Sequence, residues 1–219
     1  LCAAQLVDVG DGHWLMYGWI PKTSYTNTEE VYFNGERDHG LWGGNINVPR
    51  EVYQNEDGTL FTRLDGRMQQ LLSRGKLFEA NQPEMGVSLG TFGRSYITFE
   101  AEVGNADKVS YTMQSAGKTY YISLEQRKDG GYMSISCPDD SGHPIASEMY
   151  IGKTIQGTHN FRILVDHSIV EFYMDDAYSL SARISMFDGD YEASIVADGD
   201  VEVRNLEIHK LANQEDAYD

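Results

Sequence analysis

Residues 160–185, NFRILVDHSIVEFYMDDAYSLSARIS, decide the fold. Apolar and polar residues alternate through Phe161, Ile163 and Val165, the chain reverses at Asp166-His167-Ser168, and alternation resumes from Ile169 to Met174. That two-residue period is the signature of a strand, and two such runs about a polar turn predict a hairpin. A second reversal at Asp175-Asp176-Ala177 leads into Tyr178 to Ile184, where Leu180, Ala182 and Ile184 share one face. A meander of this kind buries one face only and needs a second sheet to cover it. Working outward, strands are expected at 86–90, 95–103, 107–115, 119–126, 132–137, 148–151, 191–197 and 201–211, besides 160–166, 169–174 and 178–185. With turns such as Asp129-Gly130-Gly131, Asp188-Gly189-Asp190 and Asp198-Gly199-Asp200 they predict a two-sheet antiparallel sandwich.

The 219 residues suffice for one large all-β unit or two domains. Hydrophobic residues at 41%, together with 22 Gly against 5 Pro, suit a globular, turn-rich β protein. The formal net charge of −17 repels phosphate backbones, so no nucleic-acid partner is expected. No apolar run approaches the ~20 residues that a membrane helix requires, so no membrane partner is expected either. The chain opens at Leu1 in a strand-like run without Met, and a targeting segment could precede it. Cys2 and Cys137 form neither a disulfide framework nor a ligand cluster and leave the compartment undecided.

Before the sandwich, the segments Leu1 to Val9, Trp14 to Ile20, Trp42 to Val52 and Thr59 to Leu64 read as a four-stranded unit. The turns Gly10-Asp11-Gly12 and Asn55 to Gly58 join them. Met68, Leu71 and Leu72 then fall at helical spacing, which predicts a short helix from Asp65 to Arg74 with Asp65 as N-cap and Gly75 ending it.

Val165, Asp166, Ser168, Val170, Glu171, Phe172, Ser181, Arg183 and Ile184 form a pattern that resembles the closing sandwich of glycoside hydrolase family 32. These are the β-fructosidases of invertase, levanase and inulinase type. A second motif group agrees in order and spacing: Ala4-Gln5, Gly18-Trp19, Trp42 with Gly44 and Ile46, Val48-Pro49-Arg50-Glu51-Val52, and Asp57-Gly58 with Leu60. It resembles the fifth and last blade of the family's β-propeller, with Asn47 where Ser or Thr is usual. The resemblance implies an all-β chain: a last propeller blade over 1–66, a linker helix over 67–83, a concanavalin A-like jelly-roll sandwich over 84–212 and a tail over 213–219. It also implies a parent enzyme that hydrolyses terminal β-fructosyl linkages in sucrose or fructans.

The chemistry of such an enzyme needs two carboxyl groups flanking the scissile bond. In the family these are the Asp of an N-D-P-[NC]-G motif and the Glu of an E-C motif, with a stabilising Asp in R-D-P, and none of the three motifs is present. Arg37-Asp38 is followed by His39 rather than Pro and lies between the Gly-Trp and Pro-Arg-Glu motifs, the wrong place for the stabiliser. No catalytic residue is therefore expected in the chain.

Other motifs reduce to structure. Gly86 to Gly90 matches G-x-S-x-G, but strand rather than helix follows the Ser, so a nucleophile elbow is not expected. Asp166, His167 and Ser168 are neighbours in one turn and cannot form a relay. The six dispersed His and the Asp-Gly-Asp turns predict no metal site, and no cofactor is expected. Trp19 is the one candidate substrate-binding residue: the resemblance places it on the wall of the central pocket, where an aromatic face can stack on a furanose ring. A buried blade aromatic is the other reading of Trp19, and the favoured one for Trp42. Arg183, on a sandwich strand, is expected to pair with an acid such as Glu171.

The expected partners are a fructosyl saccharide, reached through the parent enzyme, and either the N-terminal propeller blades or a second copy of the chain. A free-standing lectin-like carbohydrate-binding module, or a structural domain without ligand, are the alternative readings of the sandwich.

Overall fold

The computed structural model describes residues 2–21, 31–33, 36–38, 44–139, 144–184 and 189–211. The N-terminal sheet contains β1 (Cys2–Asp8) and β2 (Trp14–Pro21); a separate small hairpin, β3 (Val31–Phe33) with β4 (Glu36–Asp38), follows. β5 (Gly44–Ile46), β6 (Arg50–Gln54) and β7 (Leu60–Leu64) complete the first sheet, in the order β1-β2-β6-β7 with β5 also on β2. The stretch expected as one strand up to Val52 is thus two. Pro49 has no N–H to give to a ladder, so pairing breaks at residues 47–49 and β2 is shared: Trp19 to Pro21 pair with β5, Trp14 to Met16 with β6. Trp42 and the side chains of Arg37 and Asp38 lie outside what is described.

The helix α1 (Gly66–Leu72) begins as the sequence predicts. Asp65 caps it, its carboxylate accepting the N–H groups of Arg67 and Met68 at 3.0 and 3.3 Å, and Gly75 with φ +71 follows its end. The second half of the expected linker is different. β8 (Lys76–Ala80) pairs with the last strand and is an edge of the sandwich.

The sandwich proper continues with β9 (Ser88–Phe92), β10 (Ser95–Val103), β11 (Lys108–Ser115), β12 (Lys118–Arg127), β13 (Gly130–Ser136) and β14 (Ile145–Gly152). β15 (Gly157–Asp166), β16 (Ile169–Met174), β17 (Tyr178–Arg183), β18 (Tyr191–Ala197) and β19 (Val201–Lys210) follow. They form two six-stranded antiparallel sheets, β17-β16-β15-β10-β19-β8 and β14-β13-β12-β11-β18-β9. The meander of the opening motif is β15-β16-β17, with His167 (φ +53), Asp175 (φ +55) and Asp176 (φ +54) making its left-handed turns. Asp is among the residues that tolerate this conformation.

One core fills the space between the sheets. Phe99, Phe161 and Phe172 stack in a row with centroids 4.5 and 5.2 Å apart, and Tyr111, Ile122, Leu124, Met133 and Ile135 close over them, all fully buried. A second, smaller cluster lies outside the sandwich: Leu64, Tyr96, Leu164, Tyr173 and Leu211, packed by Val48, Met68 and Leu72. It joins the first sheet and α1 to the outer face of β15, β16 and β10. Among the described residues no helix is long and apolar enough to cross a membrane.

Candidate functional site

Trp19 sits on β2 between β1 and β5, opposite Cys2 on one side and Ile46 on the other. Directly opposed residues in a ladder share a face, and Ile46 is 74% exposed. Trp19, partly buried, therefore stands beside the exposed Ile46 on the same face of the N-terminal sheet. Its strand is held from the next segment. The Asn47 amide oxygen accepts the Gly18 N–H, the Asn47 N–H donates to the Gly18 carbonyl at 3.0 Å, and the Asn47 side-chain NH2 donates to the Val48 carbonyl at 2.6 Å. This is the work that Asn47 does where Ser or Thr was expected.

The most elaborate polar arrangement lies one step further, where the N-terminal sheet meets the sandwich. Glu171 on β16 is 1% exposed and Arg50 on β6 is 2% exposed. Arg50 Nη2 donates to Glu171 Oε2 at 2.9 Å and to the Ser181 hydroxyl, and Arg50 Nη1 donates to Ser179 Oγ at 2.8 Å. Glu171 also accepts the Val48 N–H at 2.7 Å, the Tyr173 hydroxyl at 2.8 Å and the Ser181 hydroxyl at 3.1 Å. A buried charge is tolerated only when its lone pairs are filled in this way. Burial works against the Arg50 charge, but Tyr173 and Glu171 beside it outweigh burial and hold its pKa above the ordinary value. Burial, then Glu171, push the Tyr173 phenol well above its usual range. Around this pair, Tyr53 donates to the Asp176 carbonyl at 2.7 Å, the Thr62 N–H to the Ala177 carbonyl at 3.3 Å, and the Thr62 and Ser179 hydroxyls meet at 2.6 Å.

Glu171 is therefore not the partner of Arg183. Arg183 Nε donates to Ser168 Oγ at 3.3 Å instead. In the ladder Glu171 faces Ser181 while Arg183 faces Ile169, and the oxygens of Glu171 are filled from β6. Arg50 was visible inside the Val-Pro-Arg-Glu motif, but its partner lies 121 residues away and no local pattern connects them.

A second cluster lies in an open cleft of about 470 Å³ between the β1–β2 turn and α1. His13 stands 3.5 Å from Glu51 and 3.3 Å from Asp65. Two carboxylates about a histidine invite comparison with an acid/base pair, yet both are engaged elsewhere. The Arg63 guanidinium, bound to Glu51 through two N–H groups at 2.7 and 2.8 Å, holds the Glu51 carboxyl below the usual range. Burial would raise Asp65, but Arg67, the Met68 N–H and His13 draw it down. A general acid at neutral pH needs the opposite shift, so neither carboxyl is set to act as one. No group of metal-ligating side chains occurs among the described residues. Ser88 opens a strand, β9, as a sheet residue rather than a nucleophile on a strand-to-helix turn, and Asp166-His167-Ser168 is the β15–β16 turn.

The fold is shared with solved structures over almost the whole chain. A sucrose-6-phosphate hydrolase from Lactobacillus gasseri aligns over 96% of this chain and 41% of its own, with 14% identity and a TM-score of 0.64. Fructan 1-exohydrolase IIa from Cichorium intybus aligns over 96% and 48%, with 14% identity and a TM-score of 0.62. A β-fructofuranosidase from Bombyx mori aligns over 96% and 40%, with 20% identity and a TM-score of 0.63. The chain thus spans less than half the length of each of these structures. No curated protein sequence matches it significantly. The model of the "Glycosyl hydrolases family 32 C terminal" matches residues 80–210, more than half of the chain and nearly all of the sandwich. On that match, carried by the two sheets and the meander within them, the chain belongs to glycosyl hydrolase family 32 as its C-terminal portion.

Proposed function

We propose that the chain is the C-terminal part of a β-fructosidase-type glycoside hydrolase, acting on terminal β-fructosyl linkages in sucrose or fructans. In this reading the N-terminal sheet is the last propeller blade, Trp19 contributes one wall of the sugar pocket, and the sandwich buttresses the blade. The observation that carries it is the alignment of both units together, sheet and sandwich, onto a sucrose-6-phosphate hydrolase, a fructan exohydrolase and a family 32 β-fructofuranosidase over 96% of the chain. The buried Glu171–Arg50 contact supports the same reading, because it makes blade and sandwich one body rather than two modules on a tether. The blade leaves Leu6, Val7, Val9, Trp14 and Ile46 exposed, Leu6 and Val7 on opposite faces of the sheet, which suits docking against preceding blades or a second copy.

The chain holds none of the family's carboxylate motifs, so alone it should release no fructose from sucrose, inulin or levan. Combined with a separately expressed N-terminal propeller portion bearing those motifs it should restore hydrolysis, and Trp19→Ala should lower the restored rate. Turnover by the isolated chain at a rate comparable with the restored one would overturn the reading.

A lectin-like sandwich is the second reading, favoured by a groove of about 440 Å³ on β8, β19, β10 and β15, with Asn81, Glu100, Asn160, Arg162 and Asn205 among its lining. Its only rings, Phe99 and Phe161, are buried in the core and offer no face for a sugar to stack on. Calorimetric titration of the chain with fructans and other glycans separates the two.

A further inference from the structure

We propose that Glu171, a sandwich residue, is a positioning residue for Trp19. The inference rests on the reading of Trp19 as pocket wall and adds what sets its place. Two bonded steps connect them. Glu171 holds the Val48 N–H at 2.7 Å and the Arg50 guanidinium at 2.9 Å, which fixes residues 48–50 against the sandwich. The Val48 side chain packs against the junction cluster that Leu64, Tyr96, Leu164, Tyr173 and Leu211 form. Asn47, immediately before it and 3% exposed, grips Gly18 through both its amide oxygen and its own N–H. Gly18 precedes Trp19 on β2. Ladder pairing holds β2 to β5 on one side of this point and to β6 on the other, and in the gap between them the strand is held by these Asn47 bonds. The carboxylate thus determines the height of residues 47–50 over β16, and Asn47 transmits it to the strand that carries the indole.

The test is 19F NMR of the whole chain labelled with 5-fluorotryptophan, whose three Trp resonances are assigned by single Trp→Phe variants. Glu171→Gln keeps the shape and an oxygen for Val48 but turns the carboxylate into an amide that repels Arg50. It should move the Trp19 resonance by more than its line width and leave Trp14 in place. Tyr53→Phe, which removes a different bond at the same junction, should move neither. In an Asn47→Ala background, which removes the amide bond to Gly18 but keeps the backbone one, Glu171→Gln should add less shift than it produces alone, since the link is already weakened. Should Glu171→Gln fail to fold, Tyr173→Phe removes one of the bonds to the carboxylate and should produce a smaller shift of Trp19 alone. An unmoved Trp19 in whichever of the two folds, an equal shift in Tyr53→Phe, or full additivity with Asn47→Ala overturns the positioning role. None of these outcomes depends on sugar binding, so the proposal can fail while the fructosidase reading stands, and the reverse.

Discussion

The sandwich and the blade are both made of short antiparallel strands, yet they seal differently. Between the sandwich sheets Phe99, Tyr111, Ile122, Phe161 and Phe172 are each 3% exposed or less, whereas the blade buries Leu15, Ile20 and Leu64 and leaves Leu6, Val7, Val9, Trp14, Ile46 and Leu60 exposed. The difference is one of layers. A sheet hydrophobic on one face is stable only when that face is covered; the sandwich brings its own cover, and among the described residues the blade meets the sandwich along the line where β2, β6 and β7 approach β16 and β17. That line is polar at its centre. The blade is therefore attached through a charged, hydrogen-bonded clasp beside a small apolar cluster, and the stability of the two regions should separate under perturbation.

The largest effect is expected at the clasp. Glu171→Ala leaves Arg50 charged, buried and unpaired, a change that typically costs ~3–5 kcal/mol, and denaturant unfolding should register it. A Glu171→Leu, Arg50→Met double variant should recover much of the loss, since removing both charges together leaves no orphan; failure to recover would mean the serines and Tyr173 require the ion pair itself. Phe172→Ala should cost about as much, ~3–5 kcal/mol, through the cavity it opens against Phe161. Its consequence differs: amide protection should fall throughout the sandwich. By contrast, Leu15→Ala should speed hydrogen exchange within residues 2–21 and leave β10 to β13 protected. If Leu15→Ala unprotects both regions alike, the contrast between them is wrong.

A smaller effect belongs to the hinge between the regions. Asp65→Ala removes the N-cap of α1 and should destabilise by about 1 kcal/mol, read as earlier loss of the α1 amides. The smallest is a dependence on pH. Both ring nitrogens of His159 face acceptors, Asp175 Oδ2 at 2.7 Å and the Ile155 carbonyl at 2.9 Å, so only the imidazolium satisfies both. Burial would lower its pKa, but Asp175, the Ile155 carbonyl and Glu102 raise it above the ordinary value. A raised pKa in the folded state means that the charged form is bound more tightly there. The contribution is fully present below about pH 6.5, the unfolded value, and is lost as pH rises through the folded one. Because Asp175 and Asp176 form the turn that receives Tyr53, melting curves from pH 6 upward should show falling stability that flattens in His159→Gln.

The legibility of the chain follows the same division. The eleven sandwich strands from β9 to β19 could be read in order because alternation with period two is a local signal and each turn carries its own Gly or Asp. Asp65 announced α1 for the same reason, since a cap and the residues it serves are neighbours. β8 escaped: Lys76 to Ala80 is an edge strand, only partly covered, and its two-residue pattern is too short to show. Family membership was legible because two motif groups, one in each unit, agreed in order and spacing.

What sequence by itself determined is the set of strands, their turns, the capped helix and the absence of the family's carboxylate motifs, all properties of residues and their near neighbours. Only the tertiary structure decided what Glu171 and Arg50 are for. Each is a charged residue inside a strand, and sequence pairs such a residue with a charge near in the chain, as it paired Glu171 with Arg183. The fold instead packs β6 across β16, buries both side chains, and brings a carboxylate and a guanidinium 121 residues apart together as charge partners within a shell of hydroxyls and a backbone N–H.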